Sequence, residues 1–363
     1  HTADGVSKGV VMVGGDSNLS FNQLVLSPSG YTPIDEFRQT GGTIAANAIY
    51  IGRYNGSDHR PLYLLEDGVL TVGSGGLCLG VNYSSSWTRY PGGSFEMAGG
   101  LLTVPSIETY RNQNYMTAYG GTIAFTTSNG LKQGSVSGQE ATQNAYGYYL
   151  GGVTLKGTVV GTAKSCATIP EGTKVWLTGR NGDLKVDCSE YYAYFHKNAE
   201  LAGPGGIRSF GTAGDFTIRS KCYFTGDLTV ESGKTVIENN GAFELNGPRA
   251  LRVLGGSLRF ANTVTSAQIT KHLEVIELAS TSSLNLQSAS LTLTVKRLVV
   301  GGAVQAKGTY TFGTGKVVVE EAPASWLTGT KGDLSFTDSG SGVSLTADTT
   351  LDSLVYRANN GVV

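Results

Sequence analysis

The stretch Ser94-Phe95-Glu96-Met97-Ala98-Gly99-Gly100-Leu101-Leu102-Thr103-Val104 contains a short strand pattern, a glycine pair and a second strand pattern. Other copies of its second half read Gly41-Gly42-Thr43-Ile44, Gly68-Val69-Leu70-Thr71-Val72 and Gly120-Gly121-Thr122-Ile123-Ala124-Phe125. The strand-opening glycines of the four copies are separated by 26, 32 and 21 residues: Gly42, Gly68, Gly100 and Gly121. These spacings are typical of single coils of a solenoid, with loops of unequal length along one edge.

Apolar and polar residues alternate within these strand patterns. In Val69-Leu70-Thr71-Val72, alternate side chains face opposite sides of a sheet. One coil has too few strands to enclose its inner side chains, so coils must stack to bury them. Glycine at each corner supplies the positive φ and the close backbone approach that sharp bends require. The pattern therefore predicts an all-β chain folded as a parallel β-helix, or β-solenoid, with variable loops.

Composition agrees with this fold class. The chain has 363 residues, including 52 Gly and 9 Pro, and 40% of its residues are hydrophobic. The glycines have no strict period of three, which excludes collagen, and the many β-branched and aromatic residues disfavour disorder. The best helical pattern, at 266–278, fits a strand with its turn equally well. We expect very little helix.

Charge and hydropathy exclude several classes of partner. The 27 basic and 28 acidic residues are spread along the chain and give a formal charge of -1, so no basic patch predicts nucleic-acid binding. No apolar run approaches the roughly 20 residues of a membrane-spanning helix, so we expect no membrane insertion by this segment. The first residues, His1-Thr2-Ala3-Asp4, are not a signal peptide. We expect a mature or excised piece whose export signal lies outside it.

A longer repeat predicts the larger units. Trp176-Leu177-Thr178-Gly179-Arg180-Asn181-Gly182-Asp183-Leu184 recurs as Trp326-Leu327-Thr328-Gly329-Thr330-Lys331-Gly332-Asp333-Leu334, with seven identities in nine positions. We interpret the repeat as the opening of a module. The predicted units are N-terminal β-solenoid repeats at 1–172 with an irregular Tyr-rich part at about 101–165, a second module at 173–321, and a truncated further module at 322–363.

The cysteines are Cys78, Cys166, Cys188 and Cys222. They form no Cys-x-x-Cys motif and no histidine lies at ligand spacing, so neither a metal site nor a cofactor is predicted. Cys78 alternates with apolar residues and is expected to be a small buried residue. The other three lie close enough in a stacked fold for one pair to bridge, and we favour Cys166 with Cys188.

These features resemble a known class, the bacterial surface proteins with autotransporter-associated β-strand repeats. The glycine-pair phrases carry the resemblance, together with Leu298-Val299-Val300-Gly301-Gly302-Ala303-Val304-Gln305-Ala306-Lys307-Gly308-Thr309-Tyr310. The latter is similar to the closing phrase of such modules, in which a Gly turn leads into a Gly-Thr-Tyr strand. The resemblance implies a long, right-handed parallel β-helix in an extracellular or bacterial cell-surface location.

Catalytic signatures are weak. Gly14-Gly15-Asp16-Ser17 resembles the Gly-Asp-Ser block of SGNH-type hydrolases, in which the serine is the nucleophile. That chemistry also needs a base, supplied in that class by a late Asp-x-x-His pair, and the sequence has no such pair. The block is therefore interpreted as a turn, and no catalytic residue is predicted.

Two loops contain candidate binding residues for a glycan or a partner. The first loop contains Asp58, His59 and Arg60, an acid, an imidazole and a cation that can bind an acidic sugar. Its alternative interpretation is a solvated turn. The second loop contains Tyr83, Trp87 and Tyr90, whose rings offer large rigid surfaces for stacking. His196 follows several aromatic residues and is expected to pack beside them.

Six more tyrosines crowd the Tyr-rich part: Tyr110, Tyr115, Tyr119, Tyr146, Tyr148 and Tyr149. They suit sugar stacking or partner docking, and the alternative is that they cover the flank or the end of the solenoid. Asn181-Gly182-Asp183 has the residue types of a calcium loop. Since Lys331 replaces the asparagine in the second copy, a turn is favoured.

The sequence favours a structural or adhesive protein, without enzymatic activity, on the outside of a bacterial cell. Its exposed coil ends predict self-association into filaments. The alternative is a carbohydrate-binding or carbohydrate-active β-helix, similar to polysaccharide lyases and hydrolases. A weaker third hypothesis is a trimeric fibre of the kind found on phage tails. A glycan or a host or cell-surface ligand is the expected partner.

Overall fold

The fold is known from a computed structural model. It describes residues 9–26, 34–52, 61–80, 93–110, 114–134, 146–239, 243–269, 272–320, 334–338 and 354–358. Within these ranges the chain is almost entirely β, and its parallel strands stack into a β-solenoid of about 10 turns. The 3-10 helix Ser266–Gln268 is the one helical element described. The prediction of an all-β parallel solenoid with very little helix is confirmed.

The first coils are built from long strands that bend around the solenoid. In chain order these strands are β1 (Gly9–Val13), β2 (Asn18–Leu26), β3 (Ile34–Ile51), β4 (Leu62–Leu79), β5 (Ser94–Met97), β6 (Leu101–Tyr110), β7 (Tyr115–Ala118) and β8 (Thr122–Gly134). β3 and β4 each contain 18 residues and each supply a complete coil. β3 pairs in parallel with β4, which pairs in parallel with β5 and β6. Each coil is therefore stacked directly on the one before it.

The following coils are built from shorter strands. They are β9 (Tyr148–Leu150), β10 (Thr154–Gly157), β11 (Val159–Val160), β12 (Ala163–Lys164), β13 (Ala167–Ile169), β14 (Lys174–Leu177), β15 (Leu184–Asp187), β16 (Ala193–Phe195), β17 (Glu200–Gly203), β18 (Ile207–Phe210), β19 (Asp215–Ile218), β20 (Lys221–Phe224), β21 (Leu228–Val230), β22 (Lys234–Ile237), β23 (Glu244–Leu245), β24 (Ala250–Val253), β25 (Ser257–Phe260), β26 (Leu273–Leu278) and β27 (Ser283–Leu286). The 3-10 helix precedes β26, so the segment with the best helical pattern is a helical turn followed by a strand.

The coils present three faces. Face 1 contains β5, β7, β9, β14, β17, β20 and β23. Face 2 contains β10, β15, β18, β21, β24 and β26. Face 3 contains the six-stranded sheet of β13, β16, β19, β22, β25 and β27. The long strands β3, β4, β6 and β8 run over more than one face.

Glycines turn the chain from face 1 to face 2 in the N-terminal coils. The four predicted corner glycines all have φ between 68° and 91°: Gly42, Gly68, Gly100 and Gly121. The residues that follow them pair in register, Thr43 with Val69, Val69 with Leu101 and Leu101 with Thr122. The predicted coil spacings of 26, 32 and 21 residues are therefore confirmed. The glycines are required because L side chains rarely adopt this backbone conformation.

Large apolar side chains form an inner row along the axis behind face 1. The rings of Phe37, Tyr63 and Phe95 stack, with successive centroids 4.9 and 5.3 Å apart. The inner row continues through Met116, Tyr148, Val175, Leu201, Cys222 and Leu245. Each of these residues is at most 3% exposed. Since burial of a large apolar side chain contributes about 1.5–3 kcal/mol, the inner row is a main source of stability.

Two tyrosines bring hydroxyl groups into this core, and both hydroxyls have partners. The Tyr63 hydroxyl donates to Gln39 Oε1 at 2.8 Å, and Gln39 Nε2 donates to the Val69 carbonyl at 3.1 Å. The Tyr148 hydroxyl lies 2.7 Å from the Ile107 carbonyl. Burial raises the pKa of both tyrosines, so their hydroxyls stay protonated as donors. Because both hydroxyls are hydrogen-bonded, burying them costs little free energy.

The ladder crosses the predicted boundary between residues 172 and 173. Val175 in β14 pairs with Tyr148 in β9, so the first strand after the boundary stacks on the last coil before it. β6 to β10 lie in the Tyr-rich part at 101–165 and belong to the same ladder. The described residues of that part, 101–110, 114–134 and 146–165, are more regular than the sequence indicates.

The chain reverses direction at the C-terminal end of this ladder. The strands there are β28 (Thr292–Val300), β29 (Ala303–Val304), β30 (Gly308–Phe312) and β31 (Gly315–Val319). β31 is parallel to β28, whereas β29 is antiparallel to β28 and β30 is antiparallel to β31. Gly301 and Gly302 make the turn with φ of 58° and 84°. The predicted Gly turn into a Gly-Thr-Tyr strand is present, and that strand, β30, is antiparallel.

A similar hairpin precedes the first copy of the nine-residue repeat. β11 and β12 are antiparallel, with Val160 opposite Ala163, just as Val300 lies opposite Ala303 in the later hairpin. After the second copy, β32 (Leu334–Asp338) and β33 (Leu354–Ala358) form a separate parallel pair. A hairpin with a two-residue turn therefore precedes each copy of the repeat in the chain, and the first eight residues of the second copy lie outside the described residues.

All four cysteines are free thiols in the structure, so the predicted Cys166–Cys188 bridge is not formed there. Burial raises the pKa of Cys78, Cys188 and Cys222 to about 12, whereas Cys166 is half-buried.

We expect one thiol, Cys166, to react readily with a thiol reagent in the folded protein at pH 8, because thiolates are the reactive form. All four should react after unfolding. If Cys166 and Cys188 were bridged, no thiol would react quickly before unfolding, and only two thiols would react after unfolding.

Candidate ligand-binding face

The predicted loop residues lie outside the described ranges. They are Asp58, His59 and Arg60 in the first loop and Tyr83, Trp87 and Tyr90 in the second. The described strands that flank the two loops are one coil apart, because Ile51 pairs with Leu79 before them and Leu62 pairs with Ser94 after them.

The connections between face 3 and face 1 have unequal lengths in the N-terminal coils. From the β1–β2 coil to β8, the described strand before each connection ends on face 3, and the described strand after it begins on face 1. The connections themselves lie outside the described residues: 27–33, 53–60, 81–92, 111–113 and 135–145. The arrangement of these loops along one edge stays a prediction.

Aromatic side chains follow one outward line on face 1. We define the aromatic row as Thr117, Tyr149, Trp176, Ala202 and Tyr223, which pair in that order on successive coils. Around Thr117, Tyr149, Trp176 and Tyr223 the neighbours on either side along the strand are buried, so these residues point outward. Ala202 is in register with Trp176 and Tyr223 and therefore lies on the same side of the sheet. The three large members of the row are half-buried.

Two further tyrosines pack against the aromatic row edge-on. The ring centroids of Tyr115 and Tyr149 are 6.0 Å apart with an interplanar angle of 80°. Those of Tyr146 and Trp176 are 5.2 Å apart at 65°. Edge-to-face contacts of this kind add about 0.5–1.5 kcal/mol beyond burial, so they fix the orientation of the rings.

Charged residues of alternating sign run alongside the aromatic row. This charged row is Lys174, Glu200, Lys221 and Glu244, which pair in that order. The Lys174 ammonium lies 3.9 Å from the Glu200 carboxylate, and Lys221 lies 3.9 Å from Glu244. The carboxylates and ammonium groups neutralise one another along the face.

The carboxylates of the charged row also hold two tyrosines. The Tyr146 hydroxyl donates to Glu200 Oε1 at 2.7 Å, and the Tyr223 hydroxyl donates to Glu244 Oε2 at 2.6 Å. Burial, with these carboxylates as acceptors, raises the pKa of both tyrosines. The hydroxyls therefore remain protonated donors, and the rings are fixed at both ends.

The Asn181-Gly182-Asp183 segment is a turn that packs against face 1. The Arg180 guanidinium lies 3.4 Å from the centroid of the Tyr119 ring, and Asn181 Nδ2 donates to the Tyr119 carbonyl at 2.8 Å. Asp183 accepts a hydrogen bond from the Gly206 amide at 3.1 Å. Asp183 is thus engaged within the protein, and the described residues contain no group of three His, Cys, Asp or Glu arranged to hold a metal.

A shallow groove of about 610 Å³ lies on face 2. It is lined by Thr154, Gly182, Asp183, Lys185, Arg208, Phe210 and Glu231. Arg208 lies 2.6 Å from Glu231 and 3.7 Å from Asp183, so both carboxylates are paired with one guanidinium. The groove therefore combines two cations, Lys185 and Arg208, with two carboxylates.

The remaining candidates have structural roles. The Ser17 hydroxyl donates to the Gly14 carbonyl at 2.7 Å, as expected for a turn. The His196 ring lies 4.6 Å from the Tyr194 ring, and burial lowers the pKa of the histidine. His196 therefore packs beside an aromatic residue, as predicted. Cys78 is 9% exposed, as expected for a small buried residue.

The aromatic row was only partly predicted. Tyr149 belongs to the crowded tyrosines of the sequence, Trp176 stands out only as a module marker, and no motif marks Tyr223. The signal was the central position of each short strand, as in Val175-Trp176-Leu177, where an aromatic residue lies between two buried ones. Alignment of these strands across coils would have shown the row.

No protein-family model matches the chain, and neither a curated protein nor a solved structure matches it at a significant level. Among the described residues, no helix is long and apolar enough to span a membrane. The resemblance to autotransporter-associated repeats stays a prediction. Function must therefore be inferred from the geometry of the faces.

Proposed function

We propose that the chain is an extracellular structural or adhesive β-helix protein of a bacterial surface. The observation that carries this proposal is the stacking of the described coils, from β1 to β31, into one β-solenoid of mostly parallel strands. About 10 turns, spaced by about 4.8 Å, form a rod of about 50 Å. A stiff rod that presents loops along one edge is suited to spacing and display at a cell surface.

The proposal includes self-association into filaments through strand edges. β1 and β2 are the first described strands, and within the described residues both pair only with β3. Val10 and Met12 on β1 are 55% and 66% exposed. An unpaired edge with exposed apolar residues favours pairing with another chain.

Immunogold electron microscopy of intact cells that make the protein tests the location. We expect gold particles on the outer surface without permeabilisation. Labelling that appears only after permeabilisation would contradict an extracellular role. An antibody against a cytoplasmic protein, applied to the same cells, controls for leakage.

Negative-stain microscopy with solution scattering of the purified chain tests the self-association. We expect a concentration-dependent mass and rods longer than one chain. Met12→Lys should lower this association, because a charge on the exposed edge opposes strand addition. A monodisperse monomer at all concentrations would exclude filaments while leaving surface location open.

A carbohydrate-active protein is the second candidate, and the face 2 groove favours it. Lys185 and Arg208 can bind the carboxylates of an acidic polysaccharide there, if these replace Asp183 and Glu231 as partners of Arg208. Turnover of polygalacturonate that Arg208→Ala abolishes would support this candidate. Absence of turnover by the folded protein would count against it.

A further inference from the structure

We propose that the aromatic row of face 1 binds an uncharged polysaccharide, with the sugar chain running along the solenoid axis. This inference rests on the proposed surface role, because it names the ligand that such a rod would hold. The aromatic row is Thr117, Tyr149, Trp176, Ala202 and Tyr223, and all five residues belong to the described ladder.

The row provides a continuous apolar surface for the C–H faces of sugar rings. Ala202 lies in register between Trp176 and Tyr223 and is 7% exposed, so no polar side chain interrupts the row between these two rings. Tyr149 extends this surface by one coil. Aromatic rings offer large contact areas with few rotatable bonds, so little entropy is lost when a ligand binds.

Contacts within the protein fix the rings before any ligand arrives. Tyr146 packs edge-on against Trp176 and is itself held by Glu200. The hydroxyl of Tyr223 is held by Glu244. Such preorganisation lowers the cost of binding, because the side chains have little freedom left to lose.

The spacing and width of the row match an extended sugar chain. Successive members are one strand apart, about 4.8 Å, which is close to the length that one pyranose ring adds to an extended chain. The row is one residue wide at Ala202 and Tyr223, where the charged row borders it, and Tyr115 and Tyr146 widen it only at Tyr149 and Trp176. A stable protein interface of about 800 Å² per partner needs a broader apolar centre. A narrow ligand with hydroxyls at its edges fits better.

The charges beside the row favour an uncharged ligand. Lys174 faces Glu200 and Lys221 faces Glu244, so the border carries two positive and two negative groups without a net charge. Carboxylates accept and ammonium groups donate hydrogen bonds to sugar hydroxyls. A strongly acidic polymer gains no net attraction from this border, because each ammonium group is already paired with a carboxylate.

Tryptophan fluorescence provides a direct test, because the chain has only 3 tryptophans. In the variant Trp87→Phe/Trp326→Phe, Trp176 is the sole reporter. We expect a blue shift and saturable intensity change on titration with a soluble β-glucan, mannan or dextran. Polygalacturonate and heparin should give at least tenfold weaker responses. No response to any neutral polysaccharide would overturn the proposal.

A double substitution tests whether the polysaccharide binds to the aromatic row rather than to another surface. Adding Tyr149→Ala and Tyr223→Ala to the reporter variant should weaken binding at least tenfold. Tyr192→Ala is the matched control, since Tyr192 is 44% exposed and contacts Tyr191 away from face 1, and it should leave affinity unchanged. Circular dichroism and the melting temperature confirm that each variant is folded.

Unchanged affinity in a folded double variant would overturn the assignment of the ligand to the aromatic row. Failure of the polysaccharide proposal is distinguishable from failure of the surface role, because immunogold labelling of intact cells does not depend on sugar binding.

Discussion

Replacing Phe95 by alanine is expected to lower the free energy of unfolding by about 3–5 kcal/mol. Phe95 is fully buried in the inner row, with its ring 5.3 Å from that of Tyr63. The surrounding backbone is held by parallel pairing on both sides, β4 on one and β7 on the other, so the coils cannot collapse into the space left behind. The loss of stability therefore includes both the transfer free energy of the removed ring and the cost of the cavity that remains.

Urea unfolding followed by circular dichroism measures this loss, and hydrogen exchange shows whether it is concentrated in β4, β5 and β7. Thr117→Ala is the control on the neighbouring strand, because Thr117 points outward. It should change stability by less than about 0.5 kcal/mol. A loss below about 1 kcal/mol for Phe95→Ala would show that the inner row is not a main source of stability.

Replacing Gly121 by alanine is expected to cost about 2–5 kcal/mol, from a strained backbone and from a steric clash. Gly121 has a φ of 77°, and a Cβ atom there would lie 2.6 Å from the carbonyl oxygens of Gly99 and Gly100. These oxygens belong to the backbone of the coil below and cannot move away as a flexible side chain would.

Gly172→Ala is the matched control for this prediction. Gly172 has a φ of 78°, but a Cβ atom there would meet nothing within 4 Å. Gly172→Ala should therefore lower the free energy of unfolding only by the cost of the strained backbone, about 1–2 kcal/mol. Thermal unfolding of both variants measures the difference. If both variants lose the same stability, the close contact between position 121 and the next coil is not the reason that glycine is required there.

The sequence predicts most about the repeating parts of the fold. Corner glycines such as Gly68 and Gly100 and the alternation in the strands beside them gave the coil spacing and the buried residues correctly, because both depend on local backbone and burial requirements. The ladder across residue 172 was not predicted. Pairing between coils depends on the length of each connection, and these lengths follow no fixed period.

The aromatic row and the reversed C-terminal strands were harder to predict. Tyr149, Trp176 and Tyr223 are far apart in sequence, and only the stacking of the coils brings them into one line. The direction of β30 depends on whether the chain pairs with itself or with the coil below, and a Gly-Gly turn permits both. The loop candidates at 58–60 and 83–90 lie outside the described residues and stay predictions.

The spacing of the coils also bears on how the chain folds. Thr43 pairs with Val69, and Leu101 pairs with Thr122, so each strand finds its partner within one coil length along the chain. Loop closure over such short separations is entropically inexpensive, and no early strand has to wait for a distant one. The solenoid is therefore suited to vectorial folding, in which coils are added in the order in which the chain emerges.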